Sequence, residues 1–209
     1  MMVIEAQMSD AVQTFEAGMT FDDYMADLRV HRDDFIEHYE RLAGIVDELR
    51  NDPPLPNIRI LAISEDWCPD CVFNLPILAR FAEASSQASL RIVRRPECKS
   101  LAKRYRGRGG GSHVPTFVFL GNADGVIGHW SERCASSQLW FEAFTEDHPM
   151  PKLDIRNGIP APPLLSWMKL RIASERDQFY GGVWRDVLAE IHAILGKIDP
   201  KAMTNLTKN

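Results

Sequence analysis

The sequence predicts an α/β sandwich on a mixed sheet, with extra helices at both ends. Three observations predict it. An apolar strand runs into a Cys-x-x-Cys pair and then a helix, a later proline opens a strand that returns as a hairpin, and helical periodicity flanks this segment on both sides. A chain of 209 residues suits one domain with additions. The net charge of −5 gives no general reason to expect a nucleic-acid partner.

In chain order, residues 1–19 are weakly patterned and read as frayed. Thr20-Phe21-Asp22-Asp23 reads as a capped helix start, with Phe21, Tyr24 and Leu28 on one face. A second helix is expected from about Asp33, with Phe35, Tyr39, Leu42, Val46 and Leu49 at three- and four-residue spacing. The proline cluster at 53–56 ends it, so residues 1–54 read as a helical extension that packs on the core. Residues 58–63 are an apolar run expected as a buried strand, and residues 71–84 a helix kinked at Pro76. Residues 89–94 form a second strand and 98–105 a short helix. A glycine-rich basic loop follows at 106–112, and then residues 116–120 and 126–130 pair as a hairpin. A short helix over 137–144 completes a β-α-β-α-β-β-α module placed at 55–148. Beyond it, proline-rich connectors lead to two helices broken at Gly181-Gly182. The first carries Leu165, Met168, Ile172 and Phe179 on one face; the second carries Trp184, Val187, Leu188, Ile191, Leu195 and Ile198. Residues 149–209 thus read as a linker and helical hairpin packing on the core or the N-terminal helices, the sharper alternative being a homodimer or partner surface.

The chemistry concentrates in Trp67-Cys68-Pro69-Asp70-Cys71 at the strand-to-helix junction. A helix N-terminus favours a thiolate on the first cysteine through its partial positive charge and free N–H groups. Two intervening residues let the second thiol close a small disulfide ring. Pro69 suits the first helical turn, where its missing N–H is not needed. Cys68 is expected to be exposed beside Trp67, within reach of those backbone donors, and Cys71 more shielded.

Trp67-Cys68-Pro69-Asp70-Cys71, followed roughly 45 residues later by Val114-Pro115-Thr116 and a hairpin, resembles the thioredoxin superfamily over about residues 55–148. The resemblance implies a thioredoxin-like three-layer α/β/α sandwich with a mixed four-stranded sheet. It implies a thiol–disulfide oxidoreductase with Cys68 as nucleophile, Cys71 as resolving thiol, and Trp67, Pro69 and Asp70 in support. Pro115 matches the family's cis-proline, and Val114, Pro115 and Thr116 would border a groove where an extended substrate adds as a strand. The expected partners are a disulfide-containing protein or small molecule and an upstream reductase or thiol, with no cofactor beyond the Cys68–Cys71 disulfide. One position departs from the pattern. Many members carry a buried acid six residues before the first cysteine, and here that position is Ala62. Glu65, Asp66 and Asp70 lie nearer, and their charge is expected to oppose thiolate formation.

Other readings stand beside this one. Cys68 and Cys71 would make half of a zinc site, but no second pair stands at ligand spacing, and Cys98, His113 and Cys134 are scattered, so a metal site is the second reading. A partner-binding module without catalysis would use the same groove. The basic loop at 103–108 reads as solvated, or as a groove border favouring acidic substrates. Trp130 is expected to be half-buried. Cys134 is expected on the active-site side of the sheet, as a packed inert cysteine or, alternatively, a third redox thiol. No basic n-region opens the chain and no run is long enough to span a bilayer, so a cytoplasmic protein with no membrane association is expected.

Overall fold

A computed structural model of the chain describes residues 10–50, 57–107, 110–121 and 125–196. The expected proline boundary at 53–56, the turn at 122–124, Arg108 and Ile198 lie outside the described residues.

The core is a four-stranded sheet of β1 (Ile58–Ser64), β2 (Ala88–Arg94), β3 (Thr116–Leu120) and β4 (Val126–Ser131), in the order β2-β1-β3-β4. β1 pairs parallel with β2 and antiparallel with β3, and β3 pairs antiparallel with β4, so the sheet is mixed as expected. β1 and β3 are the interior strands and are buried along almost their whole length. Strands covered on both faces need continuous apolar sequence rather than alternation, and Ile-Arg-Ile-Leu-Ala-Ile supplies it. The β1–β3 register sets Ile63 opposite Thr116. It therefore brings the end of β1, which leads to the cysteines, beside the start of β3, which follows Pro115.

Between β1 and β2 runs α4 (Pro69–Ala84), which continues through Pro76. It is apolar nearly all round because it lies between layers: the sheet on one side, and on the others α2 (Arg32–Arg41), α3 (Ile45–Arg50), α7 (Pro162–Gln178) and α8 (Trp184–Leu195). A short helix, α1 (Phe21–Ala26), is held by a capping box in which the Thr20 hydroxyl accepts from the Asp23 N–H and the Asp23 carboxylate accepts from the Thr20 N–H. It delivers Tyr24 to the core. No helix among the described residues is long and apolar enough to cross a membrane.

Several expectations are corrected. Residues 10–16 are helical rather than frayed, with Ala11 and Phe15 buried, and Met19 bridges Ile92 so that the β2 edge is covered. The single helix expected from Asp33 is two, because the chain turns at residues 42–44. The break shifts the buried face, so Ile45 rather than Val46 enters the core. α5 (Lys99–Arg104) is preceded by a tight turn at Arg95–Glu97, and α6 (Ala135–Asp147) is longer than expected. The proline-rich connector contains a small antiparallel pair, β5 (Ile155–Arg156) and β6 (Ile159–Pro160). In α7 the inward face is Leu164, Trp167, Met168, Arg171, Ile172 and Glu175, with Leu165 only partly buried. The turn at Phe179–Val183 joins α7 to α8 through Gly182, whose φ of 154° suits glycine. Trp130 is buried rather than half-buried: α8 packs on β4, and Glu190 accepts from the indole N–H at 2.8 Å.

Candidate functional site

Cys68 is the residue before the first turn of α4, Pro69 opens that turn, and Cys71 lies one turn inward. All four cysteines are thiols. Cys71 is wholly buried, as expected of the inner thiol, but Cys68 is not the exposed residue the sequence implied. It is 7 % exposed, as is Trp67. Nor does its sulfur cap the helix: the thiol donates to the Val114 carbonyl at 3.2 Å. The Val114–Pro115 peptide bond is cis. Val114, Pro115 and Thr116 are buried, so the structure brings the two sequence motifs together at one point. The Thr116 hydroxyl turns to the His113 carbonyl at 2.9 Å and to Ser131 at 2.8 Å, tying the turn before β3 to β4.

Beside Pro115 stands Glu132, just past the end of β4, in the left-handed region at φ 72°. Its N–H donates to the Pro115 carbonyl at 2.8 Å, and its carboxylate meets His113 Nδ1 at 3.1 Å. The pair frames the cis-proline turn from the solvent side.

The three acids near the cysteines do not behave as the sequence implied. All are buried, and each has a partner that offsets its charge or hydrogen-bonds it. Glu65 accepts from the Trp67 indole at 3.1 Å and from the Arg95 N–H at 3.0 Å, and burial raises its carboxyl above the usual range despite those contacts. The Arg95 guanidinium lies 5.5 Å from the Trp67 ring centre. Asp66 accepts from the Arg29 N–H at 2.8 Å and pairs with Arg94 at 3.4 Å. Asp70 is held by two guanidinium groups at once: Arg133 Nη2 at 2.6 Å, and Arg171, from α7, against both carboxylate oxygens. Burial works against that carboxylate, but the charges and hydrogen bonds of Arg133 and Arg171 outweigh it and hold Asp70 well below the usual range.

Glu175, one turn along α7, binds Arg171 at 3.1 Å. Burial pushes its carboxyl up although Arg171 pulls it down. Burial likewise opposes the Arg171 charge, and Asp70, Glu175 and then Cys68 favour it strongly enough to raise it. Asp70, expected to oppose a thiolate, is thus paired with two cations, one of them within electrostatic reach of Cys68.

Cys71 occupies different surroundings. The Glu65 N–H points at its sulfur from 3.5 Å, and the Ser64 hydroxyl stands close enough to favour the charged form of the thiol. Ser64 in turn lies 3.0 Å from the Tyr24 hydroxyl. Burial first, then the hydrogen bond and charge of Cys68, push the Cys71 thiol well above its ordinary range.

The remaining expected features take up other contacts. Cys134 is fully buried at the start of α6, with its sulfur 3.3 Å from the Ser136 hydroxyl. Cys98 is buried beside the Arg95–Glu97 turn, and burial raises its thiol to about 12. Arg106 and Gly107 of the basic loop line a cleft of about 340 Å³ with His129, Ser131 and Arg133, against β4 and α8. Among the described residues, no group of three or more His, Cys, Asp or Glu side chains is placed to hold a metal ion.

Sequence reasoning missed Arg133, Arg171, Glu175, Ser64 and Tyr24. One signal was available for two of them: Arg171 and Glu175 are four apart and share the helical face of Met168 and Ile172, so they are charges on an apolar stripe.

Residues 18–145 match the family model described as Thioredoxin. Two solved structures are similar in fold. One is a crystal structure of an HIV epitope scaffold, 18 % identical with a TM-score of 0.53, over 78 % of this chain and 94 % of that one. The other is a protein of unknown function from Pseudomonas aeruginosa, 16 % identical with a TM-score of 0.50, over 77 % of this chain and 97 % of that one. No curated protein matches the chain.

Proposed function

Given that this chain belongs to the thioredoxin family, we propose that it is a thiol–disulfide oxidoreductase acting on protein or small-molecule disulfides through Cys68 and Cys71. The observation that carries this reading is the asymmetry of the two thiols. Cys68 stands at the mouth of α4 against the Val114 carbonyl, within electrostatic reach of a guanidinium, while Cys71 is wholly buried one turn inward.

In the first step the Cys68 thiolate attacks a substrate disulfide. A bond forms between Cys68 and one substrate sulfur, the substrate S–S bond breaks, and the departing thiolate takes a proton. Cys71 then loses its proton and attacks the Cys68 sulfur. The second substrate thiol leaves, and the pair ends two electrons oxidised. The redox equivalents are carried by the pair itself, and an external thiol or reductase restores the dithiol. The Val114–Thr116 turn borders the groove in which an extended substrate segment lies.

The test is reduction of insulin disulfides with dithiothreitol as the terminal reductant, followed by mass spectrometry of two variants. Cys71→Ser is expected to retain substrate as a mixed disulfide on Cys68, and Cys68→Ser to retain little and turn over nothing. Equal retention by both variants would show the roles to be misassigned. Absence of turnover by the unaltered chain, with substrate still bound in the groove, would favour a binding module.

A further inference from the structure

The second step places a demand on Cys71 that its surroundings at first oppose. A thiol raised well above its ordinary range by burial and by Cys68 must lose its proton and become the nucleophile. The position where many thioredoxins keep an acid is Ala62, fully buried and without a proton acceptor. Successive side chains on a strand alternate faces, so Ser64 lies on the same face of β1 as Ala62, one step nearer the cysteines. Ser64 is fully buried, neighbours the Cys71 thiol closely enough to favour its charged form, and contacts the equally buried Tyr24 hydroxyl at 3.0 Å. The Glu65 N–H approaches the same sulfur from 3.5 Å. A backbone donor thus points at Cys71, and a hydroxyl stands beside it, from consecutive residues at the end of β1.

A serine hydroxyl has one hydrogen to give. When it is given to Cys71, the serine oxygen must accept, and Tyr24 is the donor in contact with it. Tyr24 can fill that role throughout the reaction. Burial, followed by the charge of Cys71, pushes its phenol well above the ordinary range, so it stays a neutral hydroxyl. Its place is fixed by α1, whose capping box lies one turn away, and by Arg94 5.3 Å over its ring.

We propose that Ser64 is a catalytic residue of the resolving step, its hydroxyl donating to the Cys71 sulfur as negative charge develops there, and that Tyr24 is the positioning residue that keeps the hydroxyl aimed. The proposal rests on the oxidoreductase reading above. No external acceptor is required. Cys71 gives up its proton as the S–S bond to Cys68 forms, the bond from Cys68 to the substrate sulfur breaks, and the departing substrate thiolate ends with a proton. Ser64 gains and loses nothing; it stabilises the charge in transit, as a preorganised donor does for an oxyanion.

The two chemical steps separate with a symmetrical aromatic disulfide whose thiolate is coloured, mixed in stopped flow with the full chain in its dithiol form. The first release reports attack by Cys68, the second attack by Cys71. For Ser64→Ala the first release should keep its rate, and the second should slow by about tenfold or more, the effect of losing one hydrogen bond to a charged group. The mixed disulfide should accumulate on Cys68. Tyr24→Phe should slow the second release less, and should add nothing when combined with Ser64→Ala, because it acts through the serine.

A second release at the unaltered rate in Ser64→Ala overturns the proposal, and so does equal slowing of both releases. If Ser64→Ala does not fold, Tyr24→Phe decides alone, and its unaltered second release overturns the proposal. Failure of the unaltered chain to give any first release overturns the oxidoreductase reading and this proposal together, whereas normal first and second releases in both variants overturn only the role of Ser64.

Discussion

Cys68 and Cys71 are three residues apart and occupy opposite chemical surroundings. Around Cys68 the charges are fixed: Asp70, Arg133, Arg171 and Glu175 form a buried ionic cluster within electrostatic reach of the thiol. Around Cys71 the contacts are neutral: two hydroxyls in series and one backbone N–H. The difference teaches that one helical turn can separate two environments, as the two proposed roles require, when different parts of the chain supply each. The charged side comes from β4's end and α7, late in the chain, and the neutral side from α1 and β1, early in it. A nucleophile gains from standing charge nearby, whereas a thiol that reacts only after it is covered gains from donors that act as charge develops.

The largest effect that would break this comparison is removal of the carboxylate at the centre of the cluster. Asp70→Asn removes the carboxylate that Arg133 and Arg171 share, leaving them only Glu132 and Glu175 respectively. Breaking a buried ion pair in this way costs about 3–5 kcal/mol, to be read by urea denaturation. In the same variant Cys68 should be alkylated by iodoacetamide faster than in the unaltered chain, since one negative charge is removed beside it. Arg171→Met should alkylate more slowly. If both variants alkylate at the unaltered rate, the cluster is structural only and the contrast between the two thiols loses its electrostatic half.

Acid provides the next largest test, because it should strike away from the cluster. Asp70 keeps its charge in the folded state to well below the usual carboxylate range, so the stability it contributes is fully present above about pH 4 and is lost only as pH falls below that. His38 has the opposite weakness. It is fully buried on α2 against Phe73, with Nδ1 2.5 Å from the Tyr180 hydroxyl, and burial, then Arg176 and Arg41, hold it at about 3 although Asp34 pulls it up. The unfolded chain binds this proton below about pH 6.5 and the folded chain does not until near 3, so stability must fall as pH falls through that interval. The loss should reach on the order of 3 kcal/mol by pH 4. It should vanish in His38→Phe when denaturation midpoints are compared at pH values from 7 to 4. A profile that stays steep in that variant would move the acid-sensitive group into the ionic cluster.

The smallest test sharpens the neutral side. Thr20→Ala removes the capping box of α1, which carries Tyr24, and should cost about 1 kcal/mol in a thermal or urea melt. Alkylation of Cys68 should be unchanged, because α1 contributes nothing to the charged side. A change in Cys68 reactivity would show that the two surroundings are not separate.

Much of this architecture was legible in the sequence. All four strands of the sheet and the helix bearing the cysteines follow from apolar runs and turn residues, since local pattern fixes them. Val114-Pro115 and the cysteine pair were legible as sites because each has a distinctive chemistry. The partners of Asp70 were not legible in the same way, because Arg171 lies 101 residues away and only the packing of α7 on α4 brings it there. The surroundings of Glu65, Asp66 and Asp70 were hidden for that reason: sequence shows charges but not what faces them. Ser64 was hidden differently. A serine ending a strand is ordinary, and its meaning depends on sharing a face with Ala62 and on Tyr24 arriving from a helix forty residues earlier. The frayed reading of residues 10–19 failed because the burial of Ala11 and Phe15 depends on surfaces that form only in the folded chain.

The bond between Arg171 and Asp70 has a consequence for anyone who would shorten this chain. A fragment cut after residue 148 would retain both cysteines, the cis-proline turn and the whole sheet, and would look complete by motif. Its Asp70 would keep one guanidinium instead of two, and the first turn of α4 would meet water where α7 now lies. Such a fragment is a different reagent carrying the same signature, so activities measured on an excised module would describe the excision as much as the protein.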